Sequence, residues 1–421
     1  MIRSSCHSLK FSNNGKRKQL NRLLEQYSSM VKKYTNIVWN NNPLENTQTM
    51  LPSKQCNQIK TERTNNSRLR QAAAKQACSS INSVWDKRRK QVYMLKKLQR
   101  EGVNAAALQS IIDTKPITKP VFKGISMELD SRFVDMKEVD GKFNLFIKLK
   151  QIGNKENINI PIKYNKVSLK WLKKGTLKTS IRIKNNNLYL FYDVPDVPKK
   201  TSGEVLGADQ GLVTCLTLSD GQATKINSHG YDLNKIVKVL SRRKKGSVGF
   251  REAATHRTNY IHWSINQLDF SNTKEVRFEK HFDSKRGKRL NKFLIHWPYP
   301  LIKDKMLSLS EEKGFQIVES NNVYKSQRCS QCGWTKKSNR KGKLFKCSNV
   351  NCGFATDSDL NAALNNSIDL IDIPYQSKLR QQRLNLNGFF WYKDSIVVDE
   401  ESIVPHSKKL KIMKFHILHD F

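Results

Sequence analysis

Four cysteines, Cys329, Cys332, Cys347 and Cys352, carry the most specific chemical signal in this chain. Two residues separate the first pair, four the second, and fourteen lie between the pairs. Two such knuckles put four thiolates at the corners of a tetrahedron about 2.3 Å from one Zn²⁺, which closes the coordination shell and leaves no position for a catalytic water. The spacing therefore predicts one structural zinc, against the plainer alternative of four unrelated buried thiols. Gly333 and Gly353 each follow a ligand cysteine, where a tight turn aims backbone N–H groups at sulfur. Cys6, Cys56, Cys78 and Cys215 are scattered, and they read as buried small apolar side chains rather than a disulfide framework.

Three carboxylates form the second candidate group. Asp209 ends the apolar run "VLGAD" and is followed by Gly211, so its side chain can emerge at a sheet edge. Glu279 ends the strand-like "VRF". Asp359 lies in "DSDLNAALNN", where Asp357 or Ser358 can cap a helix and Asp359 occupies its first turn. Taken singly they read as a turn residue, a surface charge and a favourable charge at a helix N-terminus. Taken together, in a strongly basic chain, they are what a two-metal phosphodiester nuclease requires, because hard Mg²⁺ takes oxygen ligands. Without metals the three acids would repel DNA. Asp357 is the alternative for the third acid.

The elements that must position these groups follow from periodicity and charge. The chain has 421 residues and a formal charge of +40, from 76 Lys+Arg against 36 Asp+Glu. That excess suits a polyanion held by counterion displacement, and nucleic acid is the leading partner. No apolar run approaches the length of a membrane span, and "MIRSSCHSLKFSNNGKRKQL" has no signal core, so a cytoplasmic, nucleoid-associated protein with no membrane partner is expected. Apolar residues from Leu20 to Val38 recur on one helical face, and a second helix is expected over 67–100. Its outer face carries Lys87, Arg89, Lys90, Lys96, Lys97 and Arg100, a pattern that fits a phosphate backbone as well as plain solvation. "TKPITKPVFKG" ends the helical region, and alternation over 116–197 predicts a small β-barrel completed by a strand around Ser8 to Phe11, with "NNN" at 185–187 as a hairpin turn. Helices are expected over 231–270, and "LIKDKMLSLSEEKGFQIVES" reads as helix, glycine stop, strand. The tail after Asn385 shows no pattern.

"GADQGLVTCLTLSDG", "VRFEKH", "YKSQRCSQCG", "FKCSNVNCGF" and "DSDLNAALN", in that order, resemble the signature of the transposon-encoded TnpB family and the compact type V CRISPR effectors. Lys325 stands where that family usually has Thr, and the second cysteine knuckle is expanded. The resemblance implies an α/β multidomain protein: a RuvC-like ribonuclease H fold with an inserted zinc ribbon, and an N-terminal wedge β-barrel interrupted by a helical recognition domain. The implied boundaries are 1–12 and 116–197 for the barrel, 13–115 for the helical domain, 198–325 and 355–385 for the nuclease, 326–354 for the ribbon and 386–421 for a tail. It implies RNA-guided cleavage of target double-stranded DNA opened to single strands, by a monomer or a homodimer on one guide RNA, with a short flanking DNA motif read by the N-terminal half. Asp209, Glu279 and Asp359 would then hold two catalytic Mg²⁺ about 3.5–4 Å apart, beside one structural Zn²⁺ on the four cysteines. A nuclease-inactive guided regulator and a ribonuclease H fold transposase are the alternatives.

Overall fold

The computed structural model describes residues 1–41, 67–102, 105–122, 126–150, 157–211, 213–279, 296–320, 324–371 and 388–397; Cys56 and most of the expected tail lie outside them. The chain divides between Pro195 and Asp196 into two compact units.

In the N-terminal unit, helix α1 (Asn14–Asn41) buries Leu20, Leu24, Tyr27, Val31, Tyr34 and Val38, the expected face. It packs on α2 (Ser67–Arg100) through Ala73, Ala74, Ala77, Cys78 and Ile81, and the three alanines let the two backbones approach. The C-terminal half of α2 holds α3 (Ala106–Thr114) by the Arg88 guanidinium, which donates to Ile112 O at 2.8 Å and also to Lys115 O.

The strands of this unit are β1 (Ile2–Ser8), β2 (Ser126–Leu129), β3 (Val134–Glu138), β4 (Leu145–Leu149), β5 (Ile158–Ile162), β6 (Thr176–Lys184) and β7 (Asn187–Asp193). The first strand is Ile2–Ser8 and not Ser8–Phe11: the Ser8 hydroxyl accepts from Lys10 N and caps a 3₁₀ turn at Leu9–Phe11, which ends the strand. The expected single barrel is two antiparallel sheets, β1-β7-β6-β2 and β3-β4-β5, sharing one core of Leu145, Ile147, Ile160, Ile181, Leu188 and Leu190. Asn185, at φ 53, opens the two-residue turn between β6 and β7, where Lys184 pairs with Asn187. Strand alternation also corrects the reading of Cys6: Ser5 and His7 point inward, so Cys6 between them is exposed. A short α4 (Lys166–Leu172) that periodicity did not reveal is capped by Asn165, whose side chain accepts from Val167 N and Ser168 N.

The C-terminal unit is built on a sheet ordered β11-β10-β8-β9, with β8 (Glu204–Asp209), β9 (Thr217–Leu218), β10 (Thr273–Glu279) and β11 (Gln316–Ser320). β10 runs parallel to both β8 and β11, and β9 is antiparallel to β8. Parallel strands require covering helices, supplied here by α5 (Leu233–Arg242), α6 (Val248–Ile265) and α7 (Tyr299–Lys313), which close a core around Leu206, Leu218, Ile261, Val276, Met306 and Phe315. α7 stops at Gly314 in the left-handed region, φ 80, as the sequence pattern predicts. α8 (Ser358–Ser367) lies directly on β8.

Short strands at Arg340–Lys341, Leu344–Lys346 and Ala355–Asp357 form a small sheet in the cysteine segment. A second one joins Trp334–Thr335 to Phe389–Trp391 and Ile396–Val397. The described part of the expected tail is therefore a structural piece of the cysteine segment, with Phe389 and Trp391 buried. Among the described residues, no helix is long and apolar enough to cross a membrane.

Candidate metal centres

The four cysteines converge. Their sulfurs all lie within 4.8 Å of one another, with Cys329 Sγ to Cys352 Sγ at 3.8 Å and Cys332 Sγ to Cys347 Sγ at 3.6 Å. A tetrahedron with 2.3 Å metal–sulfur bonds has edges of about 3.8 Å, so the set fits one Zn²⁺. Gly333 and Gly353 take φ of 82 and 64, the left-handed turn that each knuckle needs. Burial pushes the Cys329 thiol up to about 11. Such thiols become thiolates when a cation repays their desolvation, which is the chemistry of a structural zinc site. In the expanded knuckle, Asn349 Nδ2 reaches Cys332 Sγ at 3.8 Å, so the extra length supplies a donor to a ligand sulfur.

The acids converge at one sheet edge. β8 and β10 are parallel neighbours with Ala208 opposite Phe278, so Asp209 and Glu279 emerge together at their C-terminal ends, where open α/β sheets bind ligands. Asp357 and Asp359 have separate roles in the helix start. The exposed Asp357 carboxylate accepts from Asp359 N at 2.8 Å and Leu360 N at 3.3 Å and is the cap, whereas the Asp359 side chain is turned inward. A Cβ placed on Gly211 would lie 3.5 Å from Asp359 Oδ2, which brings Asp359 beside the residue that follows Asp209 by two. Burial, then the charges of Glu279 and Asp359, raise the Asp209 carboxyl well above the ordinary range, opposed by Arg340 and Lys343. Burial also raises Glu279, opposed by the Lys325 charge and a hydrogen bond from the Asn366 side chain. Burial and the charges of Glu279 and Asp209 push the Tyr299 phenol up, which puts that ring beside the same acids. Two amide oxygens, Gln210 Oε1 and Asn366 Oδ1, are buried with no hydrogen-bond partner among the described residues. Mutually repelling carboxylates beside orphaned carbonyl oxygens make a donor set suited to a hard divalent cation.

The two centres are mechanically joined. Lys343 and Arg340, from the hairpin between the cysteine pairs, form ion pairs with Asp359, the second at 3.5 Å. Ser358 N donates to Lys343 O at 2.8 Å, and Ser358 Oγ to Gly342 O at 3.0 Å, so the same hairpin grips the start of α8. On the other side, Asn361 Nδ2 donates to Arg328 O at 2.8 Å and accepts from Ser330 N at 3.0 Å on Oδ1. Asn365 Nδ2 reaches Arg328 O at 2.7 Å, and its Oδ1 accepts from the buried Arg328 guanidinium at 2.6 Å. Asn366 Nδ2 donates to Ala208 O at 3.0 Å on β8.

Sequence reasoning missed Arg328, Arg340, Lys343, Asn361, Asn365 and Asn366. A signal for the asparagines existed. Asn is a poor helix-interior residue, so three within one short helix need partners elsewhere. Lys325, the residue that departs from the family pattern, is buried and faces Glu279.

Gly207 sets how close α8 comes to β8. A Cβ there would collide with backbone atoms of Ala363, Asn366 and Ser367, which no side-chain rotation can relieve. Gly207→Ala is expected to cost about 3 kcal/mol or more of stability, read by chemical denaturation, and to lift Asp359 from Asp209.

The chain is similar to known proteins over part of its length. A family model described as "Cas12f1-like, TNB domain" matches residues 302–366, which include most of α7, the four cysteines and Asp359. A CRISPR-associated endodeoxyribonuclease Cas12f1 from Sulfoacidibacillus thermotolerans is 30% identical over 153 residues, 34% of this chain and 33% of that protein. The protein of the same name from Syntrophomonas palmitatica (strain DSM 18709 / JCM 14374 / NBRC 102128 / MPA) is 39% identical over 67 residues, 16% of this chain and 13% of that protein. The chain is a relative of the compact type V effectors. The matched stretches span a third or less of the length of these curated relatives. The fold is similar over a longer span: a Cas12f1–sgRNA–target DNA complex structure aligns with a TM-score of 0.50 at 15% identity, covering 83% of this chain and 81% of the effector. Beyond the mixed α/β architecture shared with such effectors, the C-terminal unit carries the stretch matched by the family model.

Proposed function

We propose that this chain is an RNA-guided DNA endonuclease. The carrying observation is the convergence of Asp209, Glu279 and Asp359 at the C-terminal edge of a parallel strand pair, with a four-cysteine site gripping the helix that bears the third acid. In this reading the β8–β11 sheet and its helices are a RuvC-like ribonuclease H fold and the cysteine segment is a zinc ribbon. The two sheets of the N-terminal unit would be the wedge domain, and α1–α3 its inserted helical recognition domain. Asp209, Glu279 and Asp359 are the catalytic ligands for two Mg²⁺ ions, and the cysteines hold one Zn²⁺. Divalent cations held by these three carboxylates would supply water activation and charge stabilisation at the leaving oxygen.

The chain's own residues do the rest. Asn366 orients the Glu279 carboxylate while tethering α8 to β8. Lys343 and Arg340 offset acid charge that would otherwise repel DNA. Basic residues over 241–257 and the outer face of α2 hold backbone phosphates of guide RNA and of a DNA duplex opened to single strands. Pairing with the guide selects the sequence, and the N-terminal unit reads a short flanking motif.

The test is the nucleic acid that accompanies the chain through purification in high salt. One discrete RNA species with a constant segment is expected, retained with an affinity that falls steeply as salt rises. Only heterogeneous fragments, or none, would contradict guidance.

A further inference from the structure

We propose that Lys325 is a built-in counter-cation of the acid site, seated against Glu279, and that it raises the divalent-cation concentration at which that site fills. Lys325 is 2% exposed and stands where the resembling family usually has Thr. Ordering a buried lysine costs about 2 kcal/mol of rotamer entropy and strips its charge of hydration, so such a residue persists where an opposite charge faces it. Burial raises the Glu279 carboxyl, and the Lys325 charge is the foremost opposing influence, ahead of the Asn366 hydrogen bond and the Arg340 charge.

The backbone is bent to put it there. Tyr324, immediately before Lys325, takes φ 60, a left-handed conformation rare for a bulky side chain. Its carbonyl accepts from Gln327 N at 2.8 Å and from Arg328 N at 3.1 Å, which closes the turn leading to Cys329, and its ring meets Phe389 edge-on with centroids 5.6 Å apart. On the other side, Asn365 Nδ2 donates to Lys325 O at 3.0 Å. The next residue, Asn366, bonds the Glu279 side chain, so two successive residues of α8 hold the lysine and its carboxylate.

Burial separates Lys325 from the other cations of the site. The Arg340 and Lys343 side chains that pair with Asp359 are 35% and 53% exposed, so solvent screens their charge. Lys325 has no such screening, and its charge stays beside Glu279 when a divalent cation enters. Like charges at that depth repel far more strongly than at a surface. A unit charge acts twice as strongly on a divalent cation as on a proton at the same carboxylate, so the repulsion keeps its sign whatever the protonation of Glu279. This inference rests on the reading of Asp209, Glu279 and Asp359 as metal ligands and adds what regulates their loading.

The experiment titrates Mn²⁺, whose free ion is counted by paramagnetic resonance, into the full zinc-loaded chain stripped of nucleic acid. Lys325→Met is expected to bind Mn²⁺ about tenfold more tightly than the parent, and Lys325→Arg, which keeps the charge, about as the parent does. Lys325→Thr is expected to tighten likewise and carries the test if the Met variant does not fold. The metal-free Lys325→Met chain should melt earlier than the parent, because Glu279 loses its partner, and should gain more from added Mn²⁺. A side chain that merely filled space would shift melting and leave the Mn²⁺ affinity alone. Met and Thr variants that bind within about twofold of the parent or more weakly, or an Arg variant that tightens, would overturn the proposal. Parental binding by Asp209→Asn, or no binding by the parent, would sink the metal-site reading itself and this inference with it.

Discussion

Asp209→Asn is expected to lower DNA cleavage at least a thousandfold, about 4 kcal/mol of lost transition-state stabilisation, while leaving RNA and DNA binding intact. The amide keeps the size and one oxygen of the carboxylate but removes the negative charge with which the site would hold a divalent cation. The same substitution is expected to make the metal-free protein more stable, an unusual result for a buried polar change. Asp209 sits among Glu279 and Asp359, and burial with those two charges raises its carboxyl well above the ordinary value. The folded state therefore keeps a proton on Asp209 in a pH window where the unfolded chain has released it. Stability contributed by that proton is present below the ordinary carboxylate range and is lost as pH rises toward the raised value. In the metal-free parent, thermal midpoints should fall across that window, and Asp209→Asn should flatten the decline. Added Mg²⁺ should raise the midpoint of the parent more than that of the variant, because only the parent presents the full charge. A variant that cuts at the parental rate would remove Asp209 from the chemistry.

Cys347→Ser is expected to release the zinc and, with it, cleavage. Structural zinc sites contribute on the order of 10–16 kcal/mol of binding free energy, so loss of one thiolate leaves the knuckles without their main source of order. Their small core is Phe345 with the ligand cysteines, too little apolar area to hold the segment alone. The consequence reaches Asp359, because the Arg340–Lys346 hairpin supplies its ion pairs and grips Ser358. Metal analysis should find about one zinc per parent chain and none in the variant, limited proteolysis should open the cysteine segment, and cleavage should fall with them. Full cleavage without zinc would show that the α8 asparagines alone suffice to place Asp359.

Much of this architecture is visible in local pattern. The 3.6-residue rhythm of α1 and α2, the alternation of β6 and β7 around "NNN", and the Gly314 stop each follow from short-range rules, and the structure has them in those places. The misses are contacts between residues distant in sequence. Phe389–Trp391 is a strand because Trp334–Thr335 offers it a partner, and a three-residue run has no periodicity to read. β1 ends at Ser8 because of a side-chain cap, which an apolar–polar pattern does not register. For the acids, spacing left Asp357 and Asp359 open. Their separation appears only in three dimensions, where one carboxylate is spent on the helix cap and the other faces Asp209 across Gly211. Lys343 and Arg340 read as ordinary surface cations until the hairpin folds back on α8.

The most direct measurement of the central claim is cleavage of one linear DNA carrying two candidate targets by the chain loaded with RNAs that differ only in their guide segment. The account predicts that the cut moves from one target to the other with the guide, requires Mg²⁺, and disappears in Asp209→Asn. A cut that stays in place whatever the guide, or that persists in chelator, would contradict it.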